Sequence, residues 1–125
     1  MDARLTSFED FWPYYVSQHR DPMCRRLHFA GTTLAMGCLA IAPWQPAALL
    51  AAPVVGYGLA WIGHFAFEKN KPASWLGAKE LVWSLRGDLR MWKKMLVGEM
   101  DAEVERLADA YGEETDSIHA QYASH

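Results

Sequence analysis

The sequence predicts an all-α integral membrane protein, a hairpin of two membrane helices flanked by interfacial amphipathic helices. Residues 27–67 contain no Asp, Glu, Lys or Arg, so all 15 acidic and 12 basic residues lie outside this run. A proline-bracketed turn at residues 43–46 divides the run into segments of 16 and 21 residues, and a spanning helix needs about 20. The net charge of −3 argues against a nucleic-acid partner, because such proteins present a basic surface.

The first predicted helix begins after Ser7 and ends near residue 19. Ser7 followed by Asp10 resembles a capping box in which Asp replaces Glu. Pro13 is tolerated near a helix start and is expected to kink the helix. One face then repeats at helical spacing through Phe8, Trp12, Tyr15 and His19.

The two hairpin helices are predicted over residues 27–42 and 47–67. Small residues recur at spacings of three or four, which lets two helix backbones approach closely in lipid and also allows a homo-oligomer. These residues are Gly31, Ala35, Gly56, Ala60 and Gly63. Basic residues flank the hairpin and its turn has none, so the positive-inside rule predicts that both termini are cytoplasmic. The alternative is a buried helical pair in a soluble protein.

A third helix is predicted over residues 74–97, after Pro72 has stopped the second hairpin helix. Its apolar stripe comprises Leu81, Leu85, Leu89, Trp92 and Leu96, and its basic residues Lys79, Arg86, Arg90, Lys93 and Lys94 project to the opposite side. A basic amphipathic helix of this kind is typical of an anionic lipid surface. The membrane domain is therefore predicted over residues 1–98, and residues 99–125 form an acidic amphipathic helix with a frayed tail after Gly112.

Three histidines are the best candidates for chemistry. Antiparallel hairpin helices bring His28, at the start of the first, to the same membrane face as His64, near the end of the second. His19 lies on the apolar side of the helix that leads into that face. Imidazole is a common metal ligand and suits iron, although zinc binds similar ligands. Cys24 and Cys38 form neither a disulfide framework nor a metal-ligand set by spacing.

Two carboxylates are candidates to join these histidines. Glu68 lies four residues after His64 at a helix C-terminus, where the helix dipole disfavours an anion and a cation or a metal is needed. Asp88 projects within the leucine stripe of the third helix, where an unpaired acid is costly. Asp88 is therefore expected to pair with an arginine, to bind a metal, or to hold an imidazole in its tautomer. The candidate arginines are Arg20, Arg25 and Arg26.

Three blocks of sequence resemble the Mpo-like family over about residues 8–98. They read HRDPMCRRLHFAG at residues 19–31, WIGHFAFEKNKPA at residues 61–73 and SLRGDLRMW at residues 84–92. Asp21 and Cys24 stand where the family often has Asn. The resemblance is to the short bacterial members, which implies an inner-membrane location. Yeast members are membrane proteins of the endoplasmic reticulum that act as iron(II)-dependent dioxygenases.

The resemblance implies a reaction in which dioxygen removes one carbon from a 2-hydroxy fatty acid, an α-oxidation. The presumed iron ligands of the family map onto His19, His28 and His64, with Glu68 or Asp88 as a possible carboxylate. Arg20, Arg25 or Arg26 could then bind the substrate carboxylate, since Arg binds carboxylates with two hydrogen bonds. The alternative is a non-enzymatic membrane protein whose histidines and acids form a structural polar network, and a haem protein is a third hypothesis.

Overall fold

A computed structural model describes residues 5–123, and every regular element among them is a helix, which confirms the all-α prediction. The helices are α1 Phe8–Ser17, α2 Pro22–Ile41, α3 Ala48–Ile62, α4 Ala78–Leu96 and α5 Met100–Ala123. A π-helical segment, Gly63–Glu68, continues α3, and a 3₁₀ turn, Ala73–Trp75, precedes α4. The chain forms two compact units. The hairpin unit is Asp21–Lys71, and the flanking unit comprises the described residues through Arg20 and from Pro72 onward.

In the hairpin unit α2 begins at Pro22, five residues earlier than predicted. The Asp21 side chain caps the helix by accepting hydrogen bonds from the backbone N–H groups of Met23 and Cys24, at 2.8 and 3.4 Å. Proline suits the first turn of a helix because it has no N–H to leave unpaired. The Asp-Pro pair therefore starts the helix before the uncharged run begins, and it adds Cys24 to the helix.

Glycines set the close approach of the two sides of the hairpin. A Cβ on Gly31 would lie 3.0 Å from the carbonyl oxygen of Gly56, and one on Gly63 would lie 3.0 Å from Sγ of Cys24. Both distances are shorter than ordinary van der Waals contact. The predicted close approach is confirmed at Gly31 and Gly63, whereas a Cβ on Gly56 would make an ordinary contact, 3.5 Å from Cβ of Ala35.

The outer surface of the hairpin unit is apolar. Its exposed large hydrophobic residues include Leu34, Leu39, Ile41, Leu49, Leu50 and Val54. Among the described residues one helix, Ala48–Glu68, is long and apolar enough to cross a membrane, with a mean hydropathy of 1.4. Arg25 and Arg26 lower the hydropathy of α2, so the second predicted span stays a prediction.

The flanking unit is built around α1. Ser7 caps this helix by accepting a hydrogen bond from the backbone N–H of Asp10 at 3.2 Å, whereas the Asp10 carboxylate binds Thr6 instead of closing the capping box. The buried side chains that form the core of the unit include Phe8, Phe11, Trp12, Tyr14, Tyr15, Met91, Met100, Leu107 and Ile118. The indole N–H of Trp12 donates to Glu103 of α5 at 2.8 Å. Helix α5 continues past Gly112 to Ala123, so the frayed tail predicted there is wrong.

Helix α4 buries a different face from its leucine stripe. Its buried residues are Glu80, Ser84, Gly87 and Met91. A Cβ on Gly87 would lie 3.0 Å from the ring of Tyr15, so the missing side chain lets α4 approach α1 closely. The four leucines of the predicted stripe stay exposed, whereas Trp92 is half-buried.

Candidate metal centre

The hairpin unit brings together two of the three predicted histidines and one cysteine. His28 on α2, His64 on the π-helical segment and Cys24 each offer a ligand atom, and these atoms lie within 4.8 Å of one another. All three residues are buried. The two imidazole rings meet edge to face with their centroids 4.9 Å apart. This cluster of nitrogen and sulfur donors could hold a metal ion.

Hydrogen bonds fix the tautomer of both rings. Nδ1 of His28 lies 2.9 Å from the carbonyl oxygen of Cys24, and Nδ1 of His64 lies 2.7 Å from Oδ1 of Asn70. A carbonyl oxygen can only accept, so Nδ1 carries the proton in each neutral ring. The lone pair then lies on Nε2. This arrangement, in which one ring nitrogen is held and the other can bind a metal, is typical of metal-binding histidines.

The end of the hairpin is folded to bring Asn70 to His64. Gly63–Glu68 is π-helical, and Lys69 adopts a left-handed conformation with φ of 62°. The backbone N–H groups of Lys69 and Asn70 both donate to the carbonyl oxygen of His64. The chain therefore turns back on itself, and the Asn70 side chain can reach the ring. Single π-helical turns often occur at functional sites.

Cys24 is a member of the cluster that the sequence interpretation missed. Its Sγ lies 3.7 Å from Nδ1 of His28, one helical turn later. The four-residue spacing would have indicated this neighbour had α2 been predicted to begin at Pro22. The thiol therefore lies beside Nδ1 of His28, the nitrogen that carries the proton, whereas the lone pair is on Nε2.

Glu68 is outside this cluster, and its charge is stabilised in another way. Oε2 of Glu68 accepts a hydrogen bond from the backbone N–H of Asp21 at 2.5 Å. Asp21 is the N-cap of α2, so the carboxylate lies at the positive end of a helix dipole. The N-terminus of α2 therefore contributes to the stabilisation of the Glu68 carboxylate that the sequence interpretation required.

The third predicted histidine, His19, belongs to the flanking unit and follows α1. Its side chain is 1% exposed. Nδ1 lies 2.6 Å from the carbonyl oxygen of Tyr15, and the ring stacks on the Tyr15 ring with centroids 4.1 Å apart. The same argument as for His28 gives protonated Nδ1 and a lone pair on Nε2. In the sequence His19 stands two residues before Asp21.

Asp88 supports the tyrosine on which His19 is stacked. The Tyr15 hydroxyl donates a short hydrogen bond to Oδ1 of Asp88. Burial raises the pKa of Asp88 to about 7, although the hydrogen bond from Tyr15 opposes this rise. The partner of Asp88 is thus a phenol, where the sequence predicted a guanidinium, a metal or an imidazole. Tyr15 thus contacts both Asp88 and His19.

The three candidate arginines differ in exposure. Arg25, next to Cys24, is 5% exposed, whereas Arg26 is exposed. Arg20, in the flanking unit, is half-exposed and lies 3.9 Å from the Asp116 carboxylate. Arg25 is therefore the buried member of the predicted substrate-binding set.

The donor set fits a metal ion of intermediate softness, because it combines neutral imidazoles with a thiol. The hydrogen bonds at Nδ1 orient both hairpin rings without using the ligand lone pairs.

A family model described as "2-hydroxy-palmitic acid dioxygenase Mpo1-like" matches residues 5–100. No curated protein and no solved structure matches the chain.

Proposed function

We propose a function that starts from one premise: this chain belongs to the Mpo1-like family. The proposed activity is that of an iron(II)-dependent membrane dioxygenase acting on 2-hydroxy fatty acids. The family description names a 2-hydroxy-palmitic acid dioxygenase. The observation that carries the proposal is the buried pair of His28 and His64, each with Nδ1 hydrogen-bonded to a carbonyl oxygen.

The proposed iron ligands are His19, His28 and His64. His19 is included because its ring is buried and its Nδ1, like Nδ1 of the other two, is hydrogen-bonded to a carbonyl oxygen. In the sequence only Arg20 separates it from the hairpin unit. Three imidazoles leave coordination positions for oxygen and substrate. Glu68 and Asp88 act from outside the ligand set, since each already accepts a hydrogen bond from the protein.

The overall reaction is balanced without an added reductant. A 2-hydroxy acid and one molecule of dioxygen give the acid one carbon shorter, carbon dioxide and water. The bond between the first and second carbons breaks, and the substrate loses the four electrons that dioxygen gains. Iron(II), when bound, supplies Lewis acidity and oxygen activation.

The residues of this chain bind and orient the substrate. Arg25 is the proposed partner of the substrate carboxylate, because a buried guanidinium binds a carboxylate strongly with two hydrogen bonds. The burial of the cluster excludes water from the reacting carbon. The acyl chain lies against the apolar surface of the hairpin, which we propose to span a bacterial inner membrane with both termini in the cytoplasm.

The direct test supplies anaerobically purified protein with iron(II), oxygen and 2-hydroxypalmitate, and measures the fifteen-carbon acid by mass spectrometry. We expect product from the wild type and a loss of at least 100-fold with H28A and with H64A. H119A is the matched control, because His119 hydrogen-bonds to Ser17 outside the cluster. Iron-loaded wild type without product would overturn the substrate class, and product from H64A would overturn the proposed centre.

A structural polar network is the second candidate, favoured by the hydrogen bonds that already tie His64 to Asn70 and Glu68 to Asp21. It predicts that H64A lowers the unfolding temperature and that the wild type binds no stoichiometric metal. Metal analysis beside thermal unfolding separates the two functions.

Extraction tests the membrane proposal independently. A spanning hairpin stays in the membrane during alkaline carbonate treatment and is released only by detergent. Release by carbonate alone would contradict the span and leave the metal centre unaffected.

A further inference from the structure

Helix α4 presents an exposed apolar surface that the fold does not use. This surface, the leucine face, consists of Leu81, Leu85, Leu89 and Leu96, which are 37%, 45%, 54% and 59% exposed. At about 100° per residue it is centred about 135° around the helix from the buried residues Glu80, Ser84, Gly87 and Met91. The leucines are therefore not the core of the flanking unit, although they form the most regular apolar stripe in it.

The basic residues of α4 were predicted to project opposite the leucines, but at about 100° per residue they extend from the opposite side, at Lys94, to one edge of the leucine face, at Lys93. Most of them bind within the flanking unit. Three of the five bind within the flanking unit: Lys79 donates to the carbonyl oxygen of Leu5, Arg90 to Glu9, and Lys94 lies 3.9 Å from Glu103. The other two, Arg86 and Lys93, are exposed, and helical geometry puts them at the edge nearest the leucines. The guanidinium of Arg86 lies over the Phe8 ring, 4.3 Å from its centre. The leucine face thus has positive charge along one of its edges, the edge with Lys93 and Arg86.

We infer that the leucine face docks on an anionic lipid surface. An apolar stripe with a basic edge matches both layers of such a surface, the acyl region and the negative headgroups. Trp75, which is exposed in the 3₁₀ turn before α4, adds an aromatic residue of the type that anchors at the headgroup level. A second copy of the chain is a poorer occupant, because pairing two leucine faces would bring their Arg86 and Lys93 charges to one seam.

The chain also keeps α4 near the membrane, a step that rests on the proposed membrane span. Residues 69–77 connect the candidate span Ala48–Glu68 with α4. Nine residues extend to about 30 Å at most. Docking is therefore an intramolecular event with a high effective concentration of lipid, so a modest surface suffices.

The experiment measures the depth of spin labels in the full-length chain reconstituted into vesicles. Labels are attached to L85C or L89C on the leucine face, to V54C in the candidate span, and to E105C on α5 as an aqueous reference. All label variants carry C38A, which removes the partly exposed cysteine. Cys24 is kept because it is buried, and the C38A protein without an added cysteine shows whether the label reacts with Cys24. The collision rate of each label with oxygen is compared with its collision rate with a water-soluble nickel complex. The ratio of the two rates distinguishes a label in lipid from a label in water.

In vesicles of phosphatidylcholine with 30% phosphatidylglycerol, we expect the L85C and L89C labels to be in lipid and the E105C label in water. K93E should shift the docking equilibrium toward water by at least about fivefold, since each basic residue near such a surface contributes about that factor. K93R should restore it. Vesicles of pure phosphatidylcholine should also shift the docking equilibrium toward water, as K93E does.

The outcomes separate this inference from the proposed span. Water-exposed L85C and L89C labels beside a lipid-exposed V54C label overturn the docking and leave the span intact. Lipid-exposed α4 labels with a water-exposed V54C label support docking and overturn the span. Labels on α4 that are shielded from both reagents and broaden one another show that a second copy covers the face, which overturns lipid as its occupant.

Discussion

The two units of this chain differ in whether they bury large apolar side chains, although the flanking unit also buries polar residues such as His19 and Glu103. The flanking unit encloses an aromatic and aliphatic core, and its largest fully buried side chains include Phe11, Tyr14, Tyr15 and Met91. The hairpin unit buries Cys24, Arg25, His28 and His64, and exposes Leu34, Leu39, Leu50 and Val54. A unit with polar residues inside and apolar residues outside is suited to lipid, where polar side chains face the interior. The contrast teaches that the hairpin unit leaves its large apolar side chains to its surroundings, as the proposed membrane span requires.

The largest expected effect tests that contrast directly. Phe11→Ala should lower the free energy of unfolding by about 3–5 kcal/mol, because it leaves a cavity in a packed core. Leu50→Ala should change it by less than about 0.5 kcal/mol, because Leu50 is 77% exposed. Denaturant unfolding in detergent micelles measures both. A cost at Leu50 equal to that at Phe11 would mean that the hairpin unit has a conventional apolar core.

The next effect concerns pH and the flanking unit. The pKa of Asp88 is raised from 3.8 to about 7 in the folded protein, chiefly by burial. The folded state therefore binds a proton that the unfolded state has lost, and its stability falls as the pH rises from about 4 to about 7. The loss reaches up to about 4 kcal/mol.

Asp88→Asn removes this titration, so its stability advantage over the wild type should grow across the same pH window. Tyr15→Phe should move the window to higher pH, because the Tyr15 hydroxyl lowers the pKa of Asp88. Thermal unfolding between pH 4 and pH 8 follows both variants. A pH-independent difference between Asp88→Asn and wild type would rule out a buried, protonated carboxyl.

The smallest effect sharpens the comparison inside the hairpin unit. Gly31→Ala should cost about 1–3 kcal/mol, since its Cβ would lie 3.0 Å from the Gly56 carbonyl oxygen. Gly37→Ala on the same helix meets nothing within 4 Å and should stabilise by about 0.5–1 kcal/mol. Unfolding in detergent measures the pair. Equal effects at the two glycines would contradict the close packing of α2 on α3.

The helical character of the fold could be predicted because periodicity and capping are local. Ser7 caps α1 as expected, and the turn at residues 43–46 separates α2 from α3. The face of α4 that packs could not be predicted, because the fold buries small and polar residues there and exposes the leucines. A stripe indicates an apolar environment and does not say whether protein or lipid supplies it.

The site was predictable to the extent that it depends on helix direction. The antiparallel direction of the helices was enough to predict that His28 and His64 meet. It was not enough to predict which groups bind their rings. Cys24 was missed because the start of α2 depends on the Asp21 cap, and Asn70 because the π-helical turn depends on tertiary packing. The role of Glu68 at the N-terminus of α2 likewise required the three-dimensional structure.

The central claim is that imidazoles of this chain hold an iron ion, with Cys24 beside them. X-ray absorption spectroscopy of the anaerobically purified protein tests it in one measurement. The account predicts an iron edge and a first shell of nitrogen and oxygen scatterers that includes three imidazoles. A zinc edge with a sulfur scatterer at about 2.3 Å would contradict it, and so would the absence of any stoichiometric metal.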